Sequence, residues 1–372
     1  FHLSSWWMHV FAVGAGLFMA ESLGRLSGRP AAGRLGAIAV LLWGVHPMVS
    51  ETVLYISARS ELLCGGFSFL ALGAWATALR VERDEVEGLE RSWPWRTAAV
   101  LACVGAIASK ETGMMVPIGL AVIELGLGGR TDRVWWRRIR WQYWAPLVAL
   151  IMLGIGFRLG RILNMSPDEA PAGLWSQMGV WADLFPAEVE RAAGVQLATS
   201  AEVWRRYLGL WLVPLGQTLH HGQADISPGS AQGVFAFCGW FGMLAGCGWL
   251  WLRNRVAAIA LVLGGLSLIP STSFVPLSEH MAEHRAYQLG LYLLLAMAWI
   301  LPPAWLRWSY WAGGALVFLY VGLSWSRVDV WSSEVGLWQE SSLRMEEEGA
   351  QRHELAERAF QTGTVLRPRI SA

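Results

Sequence analysis

The chain has 372 residues, of which 54% are hydrophobic and only 15% are charged, and its net charge is +1. Soluble domains carry about 25% charged residues, so this composition excludes an ordinary soluble domain. The near-zero net charge also gives no electrostatic reason to expect a nucleic-acid partner. Several apolar runs approach the roughly 20 residues that cross a bilayer, and the sequence predicts an all-α, polytopic protein embedded in membrane lipid.

Hydrophobic runs predict about ten transmembrane or re-entrant helices. In chain order they cover residues 4–23, 31–45, 62–79, two halves of 97–128, 143–163, 234–252, 256–269, 286–301 and 309–325. Each half of 97–128 gives about 20 Å of helix, which is short for a full crossing. A polar outer loop is predicted over 164–233, with an interfacial amphipathic helix at 202–217.

The distribution of arginine orients these helices, because cytoplasmic loops carry the excess of positive charge. Most arginines fall in alternate loops, whereas the loops between them hold only Arg59, Arg191 and Arg285. The arginine-rich loops, predicted to be cytoplasmic, are 24–34, 80–96, 127–142, 253–255 and 302–308. We therefore predict a membrane domain over 1–325, an outward-facing helical tail over 326–372, and three polar clusters on the outer face.

The first polar cluster, residues 46–61, follows an apolar helix directly. Pro47 ends that helix, because proline lacks the amide proton and disfavours helix in the residue before it. Glu51, Arg59 and Glu61 lie among apolar residues, which is typical of a short amphipathic segment on a membrane surface. An acid and a base facing a polar ligand is one interpretation, and a loop with a solvated charge pair is the other.

The second cluster consists of Lys110, the single lysine of the sequence, and Glu111. Ionisable residues at membrane depth are energetically expensive and are usually paired or functional. Two interpretations remain open for this charge pair. It caps two helix ends as an ion pair, or it faces a polar cavity and offers its ammonium group to an anionic headgroup.

The third cluster covers residues 279–287 and predicts a loop that enters a helix near Glu283. Arg285 carries the fork-shaped donor that suits phosphate oxygens. Glu283 and His284 would hold this arginine or bind a polar substrate. The alternative interpretation is a hydrated loop with an arginine that reaches toward the membrane surface.

Residues 280–284 also spell H-x-x-E-H, the pattern of one class of zinc peptidase. On a helix, His280 and His284 would share one face, with Glu334 or Glu340 as a third ligand. The Ser- and Pro-rich stretch before His280 favours a loop instead. We therefore assign no metal ligand, and a divalent cation is the only cofactor that the sequence leaves open.

Four stretches, in this order, resemble the membrane part of the transmembrane and TPR repeat-containing protein O-mannosyltransferases and their bacterial relatives. They are HPMVSETVLYISARSELL, ASKETGMMVP, PSTSFVPLSEHMAEHRAYQLG and VWSSEVGLWQESS, and FHLSSWWMHV is similar to the preceding segment. The resemblance implies a GT-C glycosyltransferase fold and a polyprenyl- or dolichyl-phosphate sugar donor, typically of mannose. It also implies a protein or glycan hydroxyl as acceptor, an outward-facing site, and tetratricopeptide repeats after the last helix. Richness in tryptophan and arginine, together with motifs of the bacterial type, predicts a bacterial inner membrane with the site facing the periplasm, although the lumen of the endoplasmic reticulum would obey the same topology.

The resemblance also implies roles for single residues. We expect Arg285 and Lys110 to bind the donor phosphate and Glu51 to bind the acceptor or the sugar. Glu51 and Glu111 are the candidate catalytic acids, since a carboxylate can take the acceptor proton while cations stabilise the departing phosphate. The expected substrate-binding residues are His46, Arg59, Lys110, Glu283, His284, Arg285 and Tyr287.

Two departures from the family pattern matter. The family's catalytic acid lies in the first outer loop, which we expect upstream of Phe1, so that the chain alone would be inactive. One tetratricopeptide repeat needs about 34 residues, so the tail can begin a single repeat. A non-catalytic membrane scaffold, which binds lipid-linked sugars or anchors a repeat domain, is the main alternative. A transporter is disfavoured, because the sequence shows no internal two-fold repeat.

Overall fold

The computed structural model describes residues 2–84, 88–128, 141–163, 187–221, 223–272 and 280–347. Within these ranges it contains thirteen α-helices, connecting 3₁₀ turns and no β-strand. The all-α prediction is confirmed for this part of the chain.

The helices range from 6 to 26 residues in length. They are α1 (His2–Ser27), α2 (Ala32–Gly44), α3 (Val49–Leu54), α4 (Arg59–Asp84), α5 (Gly88–Ser109), α6 (Val116–Leu127), α7 (Trp141–Leu163), α8 (Ala187–Leu212), α9 (Ala231–Arg253), α10 (Arg255–Leu268), α11 (Tyr287–Ile300), α12 (Leu306–Trp331) and α13 (Glu334–Glu347). The 3₁₀ turns are Ile56–Ala58, Glu111–Met115, Glu283–Ala286 and Pro303–Trp305.

Three segments are long and apolar enough to cross a membrane, namely α1, Ile56–Asp84 and α9. A fourth is present if α11 and α12 count as one broken span, which bends by 104° at the break. These segments indicate an integral membrane protein. The described ranges do not show about ten transmembrane or re-entrant helices as full spans, because helices such as α2, with 13 residues, and α10, with 14, reach only about 20 Å against a hydrocarbon core of about 30 Å.

Two element boundaries correct the sequence predictions. Residues 187–201, predicted as loop, belong to α8, which ends at Leu212 ahead of Pro214. The polarity of this stretch suggested a loop, but its many alanines favour helix. Helix α12 continues to Trp331, beyond the predicted end of this helix at residue 325. Residues 348–372 of the predicted tail lie outside the described ranges.

Helix α4 is the centre of the bundle. Among the described helices, the pairs α4–α5 and α1–α4 make the most extensive contacts. Of the most apolar 18-residue stretch within Ile56–Asp84, 83% is buried. Small residues allow this close packing, as is common between membrane helices. A Cβ atom at Gly65 would lie 2.9 Å from the ring of Tyr287, so only glycine lets α11 approach here. By contrast, only 17% of the most apolar 18-residue stretch of α9 is buried, which leaves most of that stretch for lipid.

Three fully buried tryptophans tie distant segments together. A buried indole N–H needs an acceptor, since leaving it unpaired in an apolar interior is costly. Each of these side chains donates to a backbone carbonyl more than 70 residues away in sequence. The bonds run from Trp43 to the Tyr287 carbonyl (2.9 Å), from Trp211 to the Ala286 carbonyl (3.2 Å) and from Trp299 to the Ala32 carbonyl (2.9 Å).

A buried ion network closes the end of the bundle that carries the arginine-rich loops. Arg96 donates to Glu82 at 2.9 Å and to Glu124 at 3.3 Å, and its guanidinium lies 3.9 Å from the centre of the Trp75 ring. Its side chain is only 3% exposed. Because two carboxylates share this one cation, the network joins α4, α5 and α6.

We expect Arg96→Gln to lower the free energy of unfolding by about 3 kcal/mol, because it leaves two carboxylates without their buried cation. The matched control is Arg25→Gln, which breaks the exposed pair with Glu21 and should cost at most about 1 kcal/mol. Denaturant unfolding in detergent micelles measures both. If the two variants have equal free energies of unfolding, the buried Arg96 network does not stabilise the fold more than the exposed pair does.

Candidate functional site

The candidate site lies where α3, the first turn of α4 and two 3₁₀ turns meet at one end of the bundle. These elements contact one another although they come from distant parts of the sequence. We call the side chains gathered here the acid–base cluster. It consists of Glu51, Glu61, Lys110, His221, Glu283 and His284.

Glu51 and His284 form the first pair of the acid–base cluster. Glu51 lies in the short helix α3 and is 2% exposed, and its Oε1 is 2.5 Å from Nδ1 of His284. Burial raises the pKa of the Glu51 carboxyl, while the hydrogen bond from His284 opposes that rise.

Glu61 and Lys110 form the second pair. Glu61 lies in the first turn of α4, and Lys110 precedes the 3₁₀ turn Glu111–Met115 in an extended conformation. The ammonium group of Lys110 donates to Glu61 Oε1, and the two side chains are 19% and 3% exposed. The sequence suggested Glu111 as the companion of this lysine, but the structure pairs Lys110 with Glu61, and Glu111 is exposed.

Glu283 and His221 form the third pair, which the sequence analysis missed. Glu283 Oε1 accepts hydrogen bonds from the Thr218 amide at 2.8 Å and from His221 Nε2 at 3.0 Å, and the side chains of Glu283 and His221 are both buried. His221 belongs to a polar segment without hydrophobic periodicity. Its only sequence signal is the adjacent His220, which is too weak to identify a partner 62 residues away.

His46 packs in the interior next to the cluster. Its Nδ1 accepts the Met48 amide proton at 3.2 Å, and its ring lies 4.4 Å from the Trp211 ring and 4.5 Å from the Tyr320 ring. Burial lowers the pKa of His46 to about 3, so the ring is neutral at physiological pH. The structure thus gives His46, which is 1% exposed, a packing contact with two aromatic rings.

Tyr287 is also engaged internally. His9 Nε2 is 2.9 Å from the Gly44 carbonyl, which can only accept, so this nitrogen carries the proton. The other nitrogen, Nδ1, therefore accepts from the Tyr287 hydroxyl at 2.8 Å. This bond holds the start of α11 against α1, immediately after the turn that carries Glu283 and His284.

Arg59 opens α4, Arg285 follows His284 in sequence, and both side chains are half-buried. Arg59 Nε donates to Ser5 Oγ at 3.2 Å, which joins α4 to α1. Arg285 follows His284 in the 3₁₀ turn, and its backbone N–H bonds the Ala282 carbonyl at 3.1 Å.

The helical arrangement considered for the H-x-x-E-H pattern is wrong. Residues Glu283–Ala286 form a 3₁₀ turn, and His280 lies in a bend before it, 3.2 Å from Asp225. The two histidines therefore do not share a helix face, and Glu340 is occupied by Arg327 at 2.6 Å. Over the described ranges, no three His, Cys, Asp or Glu side chains are grouped to hold a metal ion.

Replacing Lys110 by methionine should lower the free energy of unfolding by about 3 kcal/mol, because it leaves the buried Glu61 without its cation. The double variant Lys110→Met/Glu61→Gln should recover about 2 kcal/mol of this loss, which is the coupling expected of contacting residues. Denaturant unfolding in detergent measures the cycle, with Glu111→Gln as the exposed control. If the losses in the free energy of unfolding of the two single variants simply add up in the double variant, Lys110 and Glu61 do not stabilise each other.

Comparison with known proteins gives one partial relative. The chain is 32% identical, over 100 residues, to protein O-mannosyl-transferase TMTC4 of Mus musculus. The match covers 27% of this chain and 13% of the length of that relative. No family model matches the chain. No solved structure matches it. The acid–base cluster and this partial likeness are together consistent with a membrane glycosyltransferase.

Proposed function

We propose that this chain forms the membrane part of a GT-C-type glycosyltransferase. It transfers a sugar, mannose in the first instance, from a polyprenyl- or dolichyl-phosphate donor to a hydroxyl of a protein or glycan. The observation that carries the proposal is the acid–base cluster, in which three buried pairs assemble at one end of an apolar helix bundle. The partial likeness to a protein O-mannosyl-transferase supports the same activity.

The chemistry of this transfer matches the groups in the acid–base cluster. The acceptor oxygen attacks the anomeric carbon of the sugar while the bond from that carbon to the phosphate oxygen breaks. This needs a group that takes the acceptor proton and cations that stabilise the departing phosphate. We assign Glu51 and His284 to the transfer of the acceptor proton, and Lys110 and Arg285 to the stabilisation of the departing phosphate. A lipid-linked donor explains why such a site would lie at membrane level.

We further propose that the acid–base cluster faces the periplasm of a bacterium or, in a eukaryotic cell, the lumen of the endoplasmic reticulum. Contacts at the other end of the bundle support this orientation. Arg83 donates to the Leu26 carbonyl at 2.7 Å, and Arg255 donates to the Gly126 carbonyl at 3.4 Å, so arginine-rich ends of several helices gather there. By the positive-inside rule, the arginine-rich end is cytoplasmic. A repeat domain beyond α13 belongs to the same proposal.

The test is transfer of radiolabelled mannose from polyprenyl-phosphate mannose by the full-length gene product in detergent. Arg285→Ala should reduce kcat/KM at least about 10²-fold, because one cation at the departing phosphate is removed. Arg307→Ala, which changes an exposed arginine at the start of α12, should retain wild-type transfer.

A folded wild-type protein that transfers no sugar from lipid-phosphate mannose, glucose or N-acetylglucosamine would refute the proposed glycosyltransferase activity. The scaffold would then be the better function, and it is tested separately by binding of the lipid-linked sugar without turnover. If Arg285→Ala transfers sugar at the wild-type rate, the proposed enzyme activity stands, but Arg285 does not bind the donor phosphate.

A further inference from the structure

Helix α13 carries most of the stretch VWSSEVGLWQESS, to which the proposed function assigns no residue. Glu340 and Ser341 of this helix contact the bundle. Glu340 bonds to Arg327 of α12, and the completely buried Ser341 bonds to a residue of the segment 217–221, between α8 and α9. These contacts fix α13 against the part of the bundle that carries the acid–base cluster.

Arg327 anchors α13 from the side of α12. Its side chain is 9% exposed, and one terminal nitrogen, Nη1, donates to Glu340 Oε1 at 2.6 Å and to the Gln217 carbonyl at 3.4 Å. This nitrogen carries two N–H groups, so it can serve both acceptors. Because a buried guanidinium needs a carboxylate beside it, the ion pair keeps α13 next to the segment 217–221.

The segment 217–221 lies outside the helices, so side chains from elsewhere must hold its backbone in place. Arg327 bonds to its first residue, as described above. The hydroxyl groups of Thr218 and Ser341 are 3.0 Å apart and share a hydrogen bond, and both side chains are buried. Side chains of α12 and α13 therefore hold two consecutive residues of this segment.

The same segment supplies two hydrogen-bond donors to Glu283. The Thr218 amide donates to Glu283 Oε1 at 2.8 Å, and His221 Nε2 lies 3.0 Å from the same oxygen. Glu283 is only 1% exposed, so water cannot easily replace a donor that moves away. A displacement of the segment 217–221 would therefore release Glu283 from its partners.

We infer that Ser341 is a positioning residue for the Glu283–His221 pair, which makes α13 part of the candidate site. The inference rests on the proposed function, in which Arg285, two residues after Glu283 in the same 3₁₀ turn, stabilises the departing phosphate. Ser341 holds the Thr218 side chain, and the Thr218 amide holds Glu283. Glu283 in turn fixes the turn that carries Arg285.

The first experiment measures this contact without transfer activity. Hydrogen–deuterium exchange of the full-length protein in detergent, read by mass spectrometry at single-residue resolution, gives the exchange rate of the Thr218 amide. Ser341→Ala should raise this rate about fivefold, because the segment loses one buried hydrogen bond. The matched control is Ser332→Ala, which removes an exposed hydroxyl bonded to the Asp329 carbonyl and should leave the rate unchanged.

Substitutions of Thr218 test whether its hydroxyl is the group that matters. Relative to the intrinsic rate of each residue, the amide of Thr218→Val should exchange as fast as in Ser341→Ala, because valine keeps the shape and loses the hydroxyl. Thr218→Ser keeps the hydroxyl and should retain the wild-type protection. The double variant Thr218→Val/Ser341→Ala should exchange no faster than either single variant, since both changes remove the same bond. Equal exchange in Thr218→Ser and Thr218→Val would overturn the inference.

The second experiment measures kcat and KM with polyprenyl-phosphate mannose. Ser341→Ala should raise the donor KM about fivefold, because donor binding must then order the loosened turn, and should keep kcat within about twofold of wild type. A merely structural role predicts a different result, since partial loss of folded protein lowers the apparent kcat and leaves KM unchanged. Ser332→Ala should retain both wild-type values.

The outcomes separate this inference from the proposed function. If the wild type transfers sugar and Ser341→Ala keeps the wild-type donor KM or the wild-type exchange rate of Thr218, the inference is overturned and the proposed function stands. If the folded wild type transfers no sugar, the proposed function fails, and the exchange rate of Thr218 decides whether α13 holds Glu283. A raised donor KM together with faster exchange supports both.

Discussion

At the polar end of the bundle three carboxylates, Glu51, Glu61 and Glu283, are withdrawn from water, and each must find a donor inside the protein. An unpaired buried charge costs several kcal/mol, so the chain can reach this conformation only when the partners arrive. Those partners come from segments 49 to 233 residues away in sequence. The requirement therefore decides how α3, α4 and the two 3₁₀ turns are arranged.

The turn Glu283–Ala286 is held from two directions. On its polar side Glu283 and His284 are bonded to His221 and Glu51. On its apolar side Trp211 donates to the carbonyl at the end of the same turn. Such support from both sides holds the backbone of the turn and these side chains in one arrangement.

The sequence analysis identified Glu51, Lys110 and His284 because ionisable residues between apolar runs are conspicuous. It could not identify their partners, since Lys110 has Glu111 beside it in sequence and Glu61 beside it in space. His221 was missed because it lies in an aperiodic polar segment. Helix α8 was partly missed for a related reason, as polar helices and loops share a composition. Apolar character alone also did not separate full spans from short helices packed inside the bundle.

Lys110 is the single lysine of the sequence, and its side chain is partly accessible beside Glu61. Reagents that acylate amines therefore have one side-chain target in residues 1–372, and that target is part of the acid–base cluster. Its rate of acylation would report how often the ammonium group leaves the carboxylate. A fluorophore attached there would observe the polar end of the bundle directly, without removal of competing lysines by mutation.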